Sequence, residues 1–183
     1  INKFNKRLVM SLDKDQVHLE QPYRNTPFTG QLIKTLPLAS SMGGEVLDVQ
    51  LKDLKDDAFE ELKEALWHHK MLFLRNQDLT PAEQLAFTKR FGELGTDAYT
   101  KGLPGFPDVQ PVLKEAETKS KIIFGGGHHT DSAFLERPPS VSVLHGVDIP
   151  PYGGDTIWYN AVMAYESLSP TMREMLKPLK VHM

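Results

Sequence analysis

Residues 125–131 read GGGHHTD and place His129 and Asp131 two positions apart in a segment that favours extended structure. Side chains at i and i+2 of a strand point to the same face, so this pair would present one nitrogen and one oxygen to a single point. Two histidines and one carboxylate form the facial triad of non-haem Fe(II) enzymes, which leaves three positions open for a chelating cosubstrate and dioxygen. An isolated His-x-Asp is more often a surface or hydrogen-bonded pair, so the flanking sequence has to decide.

The composition indicates a soluble globular protein that binds small molecules. The 183 residues are 40% hydrophobic and 25% charged, which suits one domain or part of one. A net charge of −3 gives no general basic field and argues against a nucleic-acid partner. Because cysteine is absent, any metal must be held by His, Asp or Glu, which favours Fe, Mn or Zn.

The sequence predicts a cytoplasmic protein with no membrane partner. No apolar run approaches the roughly 18 to 20 residues that span a bilayer, and the first residues lack the apolar centre of a signal peptide. The chain starts at Ile1 and stops at Met183 inside an apolar, strand-like run. We therefore expect both ends to be cut from a longer protein.

Two regions differ in organisation. Residues 1–42 are polar, carry three prolines and show no period, so we interpret them as an irregular lead-in. Residues 43–183 are predicted to be the N-terminal part of a single domain. It opens with a strand over 46–51, an amphipathic helix over 56–68 and a buried strand over 71–74. Thr80 as N-cap, Pro81 at N1 and Glu83 at N3 then predict a second helix that reaches Phe91 and stops at Gly92.

The remainder is predicted to be β-rich. Short apolar runs separated by turn residues predict strands over 109–113, 121–124, 140–147 and 156–159. Short helices are predicted from Asn160 and from Ser169-Pro170, followed by a strand over 179–183. Because helices come first and strands later, the pattern favours the α+β class over alternating α/β.

Five motifs in order resemble the taurine catabolism dioxygenase family of Fe(II)/2-oxoglutarate-dependent dioxygenases. They read FGEL at 91–94, HTD at 129–131, FLERPP at 134–139, GGDTIW at 153–158 and AYESLS at 164–169. The resemblance covers residues 44–183. It implies a double-stranded β-helix (jelly roll) flanked by helices, truncated here before its C-terminal strands. It also implies an Fe(II) cofactor, 2-oxoglutarate as cosubstrate and O2.

The resemblance assigns roles to three residues. His129 and Asp131 would be catalytic metal ligands, with the third ligand a histidine beyond Met183. Thr156 would donate a hydrogen bond to the distal carboxylate of 2-oxoglutarate, while an arginine beyond Met183 forms its ion pair. The structural alternative for Thr156 is an ordinary β-branched strand residue. We reject His182 as the third ligand, because the resemblance places that ligand much further downstream.

The remaining histidines receive structural interpretations. His68 and His69 fall at a helix end, where the helix dipole favours a cation. His145 alternates with Val143 and Val147 and is interpreted as a hydrogen-bonded core histidine rather than a ligand.

Departures from the family pattern bear on the substrate. The position before the metal-ligand histidine is commonly aromatic, and here it is His128. Where the taurine-specific enzymes carry a histidine and a tyrosine to hold the sulfonate, the ungapped positions are Asp97 and Thr100, and their asparagine is replaced by Gly125. An acidic Asp97 would repel a sulfonate, so the substrate is predicted not to be taurine. The candidates for lining the substrate pocket are Asp97, Tyr99, Gly126 and His128; as an alternative, Asp97 is a solvated loop carboxylate.

The expected activity is oxidation (hydroxylation) of a C–H bond in a small organic substrate, coupled to decarboxylation of 2-oxoglutarate to succinate and CO2. Two alternatives stay open. One is a non-catalytic jelly-roll binding module. The other is a metal-dependent hydrolase or isomerase on a similar barrel, which would use Zn(II)-bound water. The sequence also leaves open whether the protein is a homo-oligomer.

Overall fold

A three-stranded mixed sheet organises the first half of the chain. The computed structural model describes residues 25–95, 101–113 and 126–180. Strands β1 (Thr35–Pro37), β2 (Gly44–Val46) and β3 (Leu72–Leu74) lie in that order, with β1 antiparallel to β2 and β2 parallel to β3. A parallel pair needs a long crossover, and α1 (Asp56–His69) provides it.

Three further α-helices and one 3-10 helix complete the regular structure of the described residues. The 3-10 helix Leu51–Asp53 precedes α1, and α2 (Pro81–Lys89) follows β3. Helices α3 (Ala161–Glu166) and α4 (Pro170–Leu176) lie near the end, with Asn160 and Ser169 as their N-caps. The predicted helices and the strands around residues 46 and 72 are thereby confirmed, and the mixed sheet with separate helices agrees with the α+β class. None of the helices in the described ranges has the length and apolar character needed to cross a membrane.

The predicted capping residues of α2 act as expected. The Thr80 side chain accepts a hydrogen bond from the Glu83 amide at 3.3 Å, and the Glu83 carboxylate accepts one from the Thr80 amide at 2.8 Å. This reciprocal pair satisfies two amides that the first helical turn leaves without partners. The helix ends at Lys89 rather than Phe91, and a turn leads to Gly92, whose φ of 142° suits glycine.

A small core joins the sheet, α1 and α2. Its buried apolar residues are Ile33, Val46, Leu51, Phe59, Leu62, Ala65 and Phe87. Three of them, Phe59, Leu62 and Ala65, lie three residues apart on the face of α1 that packs on the sheet. Phe59, Phe87 and Phe91 pack edge to face, with ring centroids 4.8 to 6.0 Å apart. This aromatic cluster therefore fixes α2 against α1.

Several predicted strands of the second half are absent. Residues 140–147 and 156–159 form no strand, and 109–113 contains none either. Residues 141–146 nevertheless alternate between half-buried and exposed, the period-two pattern of a strand. The alternation is local, but a strand also needs a hydrogen-bonded neighbour, and the described residues offer none to this segment. The predicted strand 121–124 and most of 179–183 lie outside the described residues, and the jelly roll stays an expectation.

Glu61 of α1 ties the chain before β1 to the helix. Its carboxylate accepts hydrogen bonds from the amides of Gln31, Leu32 and Ile33 at 2.8 to 3.2 Å. Gly30 leaves room for this contact, since a Cβ there would lie 2.1 Å from Glu61 Oε2. The amides of Leu32 and Ile33 are the main reason why the pKa of Glu61 is lowered from its ordinary value.

We expect Glu61→Gln to flatten the acid limb of the stability curve. Because the folded pKa of Glu61 lies below its ordinary value of 4.5, its stabilisation is present above that pH and is lost as pH falls through the folded value. Urea unfolding between pH 3 and 7 should show a steeper fall in the wild type than in Glu61→Gln. Glu64→Gln removes a carboxylate of the same helix that has no hydrogen-bond partner among the described residues, and it should follow the wild type. Parallel curves for wild type and Glu61→Gln would contradict the assignment.

His69 corrects the interpretation of the helix-end histidines. It is fully buried, and burial, with a smaller effect of His68, lowers its pKa, so it is a neutral core group rather than a helix-end cation. Asn25 donates its amide hydrogens to the carbonyls of Ala39 and Gly43, which turns its oxygen towards His69 Nδ1 at 2.5 Å. His69 Nδ1 therefore carries the proton, and Nε2 accepts from the Thr35 hydroxyl.

Gly44→Ala tests how rigidly this imidazole is held. A Cβ at Gly44 would lie 2.4 Å from His69 Cδ2, and the ring cannot move away without breaking its hydrogen bonds. We expect a loss of about 1 to 3 kcal/mol in the free energy of unfolding, measured with urea. Gly95→Ala is the control, since its nearest neighbour would be Pro139 Cβ at 4.0 Å, and it should change stability by less than about 0.5 kcal/mol. Equal effects of the two substitutions would show that His69 adapts.

Candidate metal site

The structure brings His129 and Asp131 together. His129 Nε2 lies 3.2 Å from Asp131 Oδ1, and both side chains are about half exposed. The local backbone is a turn that starts at Asp131, with Ser132 at a φ of 48°, rather than the extended structure that the sequence favours. The expected meeting of the nitrogen and the oxygen is therefore correct, but its conformational cause is different.

The other ring nitrogen of His129 also has a partner. His129 Nδ1 lies 2.8 Å from the carbonyl oxygen of Gly127. A carbonyl can only accept, so Nδ1 donates its hydrogen in this contact. Ionised Asp131 is an acceptor too, so Nε2 frees its lone pair when a metal takes the place of the hydrogen between them. With Nδ1 held by Gly127, a metal would bind this histidine through Nε2.

The outer oxygen of Asp131 is also held. The Ser142 hydroxyl donates to Asp131 Oδ2 at 3.0 Å. Each member of the pair thus uses one polar atom for a protein contact and turns the other towards its partner. The supporting groups, Gly127 and Ser142, could not be assigned from the sequence, because the spacing of the motif does not specify what surrounds it.

Nitrogen and oxygen facing each other need a cation between them. Both His129 Nε2 and ionised Asp131 Oδ1 are acceptors, so the contact is favourable with either a proton or a metal ion in that position. Atoms that each lie about 2.1 Å from a metal at adjacent octahedral positions are about 3 Å apart. The observed 3.2 Å separation therefore fits two of the adjacent ligands of a facial triad.

A third protein ligand is not present in the described ranges. No group of three His, Asp or Glu side chains suited to a metal occurs among residues 25–95, 101–113 and 126–180. His145 Nε2 instead donates to the Gln77 carbonyl at 3.1 Å, in agreement with its interpretation as a hydrogen-bonded histidine. His182 lies outside these ranges.

The proposed substrate residues are only partly described. Asp97 and Tyr99 lie outside the described residues. Gly126 and His128 lie beside the metal pair in sequence, and the His128 ring packs perpendicular to that of Tyr159 with centroids 4.5 Å apart. The contact of Tyr159 with His128 was not predicted from the sequence. The available signal was an aromatic residue at the end of the apolar run that contains Thr156.

A groove of about 300 Å³ adjoins Tyr159. Its lining includes Trp158, Tyr159, Met163 and Ser41, and it is largely apolar. Asn160 fixes one edge, because its amide nitrogen donates to the Ser41 carbonyl at 2.9 Å while its oxygen caps α3. Tyr159 thus contacts His128 and also lines the groove.

Thr156 lies in an exposed segment that follows a glycine turn. Gly153 and Gly154 have φ values of 80° and 69°, which confirms the predicted turn. The Thr156 side chain makes no hydrogen bond to any described residue, so its hydroxyl is available to a ligand.

Comparisons with known proteins identify the family of this chain. The family model described as "Taurine catabolism dioxygenase TauD, TfdA family" matches residues 34–182. An alpha-ketoglutarate-dependent sulfate ester dioxygenase from Pseudomonas putida is 32% identical over 78% of this chain and 46% of its own length. An alkylsulfatase from Acinetobacter baylyi is 28% identical over 81% of this chain and 46% of its own length. The crystal structure of a taurine dioxygenase from Burkholderia xenovorans superposes with a TM-score of 0.62 at 34% identity, over 79% of this chain and 51% of that one.

These similarities place the chain in a family of dioxygenases. It belongs to the taurine catabolism dioxygenase TauD, TfdA family, whose model matches most of its length. The chain spans about half the length of the curated relatives that it matches. The family assignment therefore applies to this chain, whereas the activity of a whole protein needs a proposal and a test.

The contacts of His129 give a prediction for the protein with diamagnetic Zn(II) bound. ¹⁵N NMR should then show Nδ1 protonated and Nε2 without a proton, because the Gly127 carbonyl accepts from Nδ1 and the metal replaces the proton between Nε2 and Asp131. On addition of Zn(II), Nε2 rather than Nδ1 should show the larger shift. His145 is the internal comparison, since it donates through Nε2 to Gln77 and should not change. Loss of the Nδ1 proton rather than the Nε2 proton on Zn(II) binding would rule out the arrangement.

Proposed function

We propose that the full-length protein containing this chain is an Fe(II)/2-oxoglutarate-dependent dioxygenase. It oxidises a C–H bond of a small organic substrate while 2-oxoglutarate is decarboxylated to succinate and CO2. The observation that carries the proposal is the 3.2 Å approach of His129 Nε2 and Asp131 Oδ1 in a chain of this family. The family match makes a bound metal a better explanation of this pair than a plain ion pair.

In this proposal, His129 and Asp131 hold the metal. His129 would contribute Nε2 and Asp131 would contribute Oδ1, and a histidine beyond Met183 would be the third ligand. The iron, when bound, supplies the one-electron and dioxygen chemistry that no side chain provides. The chain's part would be to hold the two ligand atoms 3.2 Å apart, and the Gly127 carbonyl would keep the imidazole in place through Nδ1.

Thr156 is proposed to bind the cosubstrate. Its hydroxyl would donate to the distal carboxylate of 2-oxoglutarate, and an arginine beyond Met183 would neutralise that carboxylate. The Thr156 hydroxyl makes no hydrogen bond within the described ranges, which supports this role. The same continuation of the chain would supply the strands that complete a jelly roll.

The substrate is proposed to be a small organic molecule other than taurine. Asp97, Tyr99, Gly126 and His128 are the proposed contacts, and Tyr159 joins them because its ring packs against His128. Asp97 disfavours a sulfonate at the position where the taurine-specific enzymes carry histidine. The names of the two relatives, a sulfate ester dioxygenase and an alkylsulfatase, make alkyl sulfate esters the first compounds to assay. A sulfate ester carries the same negative charge as a sulfonate, so its turnover would show that Asp97 does not contact the anionic group.

The proposal is tested by adding Fe(II) and then 2-oxoglutarate to the full-length protein without oxygen. A weak visible charge-transfer band of the iron chelate should need both additions and should be absent in His129→Ala and Asp131→Ala. Thr156→Ala should weaken 2-oxoglutarate binding by about tenfold, the effect of one lost hydrogen bond to a charged group, while Thr156→Ser retains the hydroxyl and binds normally.

Succinate release then identifies substrates. Alkyl sulfate esters are assayed first, with taurine as the comparison compound, and turnover should require oxygen. Absence of the band from folded protein would overturn the dioxygenase proposal and favour a metal-free binding module. Turnover without oxygen would instead indicate a metal-dependent hydrolase or isomerase.

A further inference from the structure

We propose that Ser142 is a positioning residue that orients the Asp131 carboxylate for metal binding. This inference deepens the proposed function and rests on it. The residue lies eleven positions after Asp131 and donates its hydroxyl to Asp131 Oδ2 at 3.0 Å. Its position in a segment predicted only as a strand gave no sign of this role.

The hydrogen bond selects which oxygen of Asp131 faces the site. A free carboxylate rotates and presents either oxygen, or both at once. With Oδ2 held by Ser142, the other oxygen, Oδ1, lies 3.2 Å from His129 Nε2. Ser142 therefore favours a carboxylate that binds through one oxygen and leaves the remaining positions on a metal open.

The backbone around Ser142 is anchored on the core, so its hydroxyl has a defined place. Val143 packs against the hydrophobic core, and its carbonyl accepts from Gln84 Nε2 of α2 at 3.3 Å. Two residues further on, His145 Nε2 donates to the Gln77 carbonyl at 3.1 Å. With Val143 and His145 turned inwards, the alternation of the segment leaves Ser142 on the opposite face, where it meets Asp131.

The anchor at Gln77 is itself fixed. Its side-chain nitrogen donates to the carbonyls of Val49 and Arg75 at 2.8 and 2.9 Å, and its oxygen accepts from the Leu51 amide at 2.9 Å. Leu51 belongs to the buried core. Contacts therefore run without a gap from the core through Gln77 and His145 to the segment that carries Ser142.

The hydrogen bond between Ser142 and Asp131 is solvent-exposed. Its effect on the orientation of the carboxylate can therefore be measured separately from its effect on folding stability. An exposed hydrogen bond exchanges readily with water and contributes little to the free energy of unfolding. A ligand that is held in one rotamer, however, loses less entropy when the metal binds. Loss of the hydroxyl should therefore change metal affinity and leave folding stability almost unchanged.

The test measures Co(II) binding to the full-length protein by its visible absorption, with the thermal midpoint measured alongside. Ser142→Ala should weaken Co(II) binding by about tenfold and should alter the absorption bands. Ser142→Thr keeps the hydroxyl, so its affinity for Co(II) should lie within about threefold of the wild type. Ser142→Val has the shape of threonine without the hydroxyl, so it should bind Co(II) as weakly as Ser142→Ala. Ser140→Ala is the matched control, because that hydroxyl makes no hydrogen bond in the described part of the chain.

The outcomes separate this inference from the proposed function. Wild-type protein that fails to bind Co(II), or binds it equally well after Asp131→Ala, would overturn the proposed function itself. Co(II) binding that depends on Asp131 but is unchanged in Ser142→Ala would overturn only the role of Ser142. Equal weakening in the threonine and valine variants would also overturn it, because the hydroxyl would then not matter. If Ser142→Ala does not fold, the comparison of Ser142→Thr with Ser142→Val still tests the role of the hydroxyl in Co(II) binding.

Discussion

Two hydrogen-bond acceptors facing each other form the constraint on which the site depends. His129 Nε2 and Asp131 Oδ1 lie 3.2 Å apart, and neither has a proton to offer when the imidazole is neutral and the carboxylate ionised. Gly127 fixes the first atom through the opposite side of the ring, and Ser142 fixes the second through the opposite oxygen. The fold therefore holds a pair that attracts a cation, and in the proposed function that cation is a metal.

The metal pair and the hydrophobic core are connected through a short segment rather than through a sheet. Residues 142–145 contact Asp131 on one side and α2 together with Gln77 on the other. Without this segment, the half-exposed side chains of His129 and Asp131 would be positioned only by the turn in which they lie. The core built from α1, α2 and the three strands thereby acts on a site to which it contributes no ligand.

Sequence reasoning succeeded where the signal was local. Both long helices and the capping pair of Thr80 and Glu83 follow from spacing within a few residues, and the turn at Gly153 follows from its composition. His69 was misinterpreted because its burial depends on Asn25 and Thr35, which are distant in sequence. The segment 140–147 has the alternation of a strand but no partner among the described residues, and pairing cannot be deduced from one segment. The contacts of Ser142 with Asp131 and of Tyr159 with His128 were not predicted for the same reason, because contacts between residues distant in sequence leave no local pattern.

The alternation of residues 141–146 also limits how this region can change over evolutionary time. Substitutions at the exposed positions alter the surroundings of Asp131 without disturbing the core, so the site can be varied one side chain at a time. An inserted or deleted residue before Val143 has a different effect, because a shift by one position exchanges the two faces. The hydroxyl would then turn towards the core and the valine towards Asp131, so a change in chain length here would damage the core and the His129–Asp131 pair together.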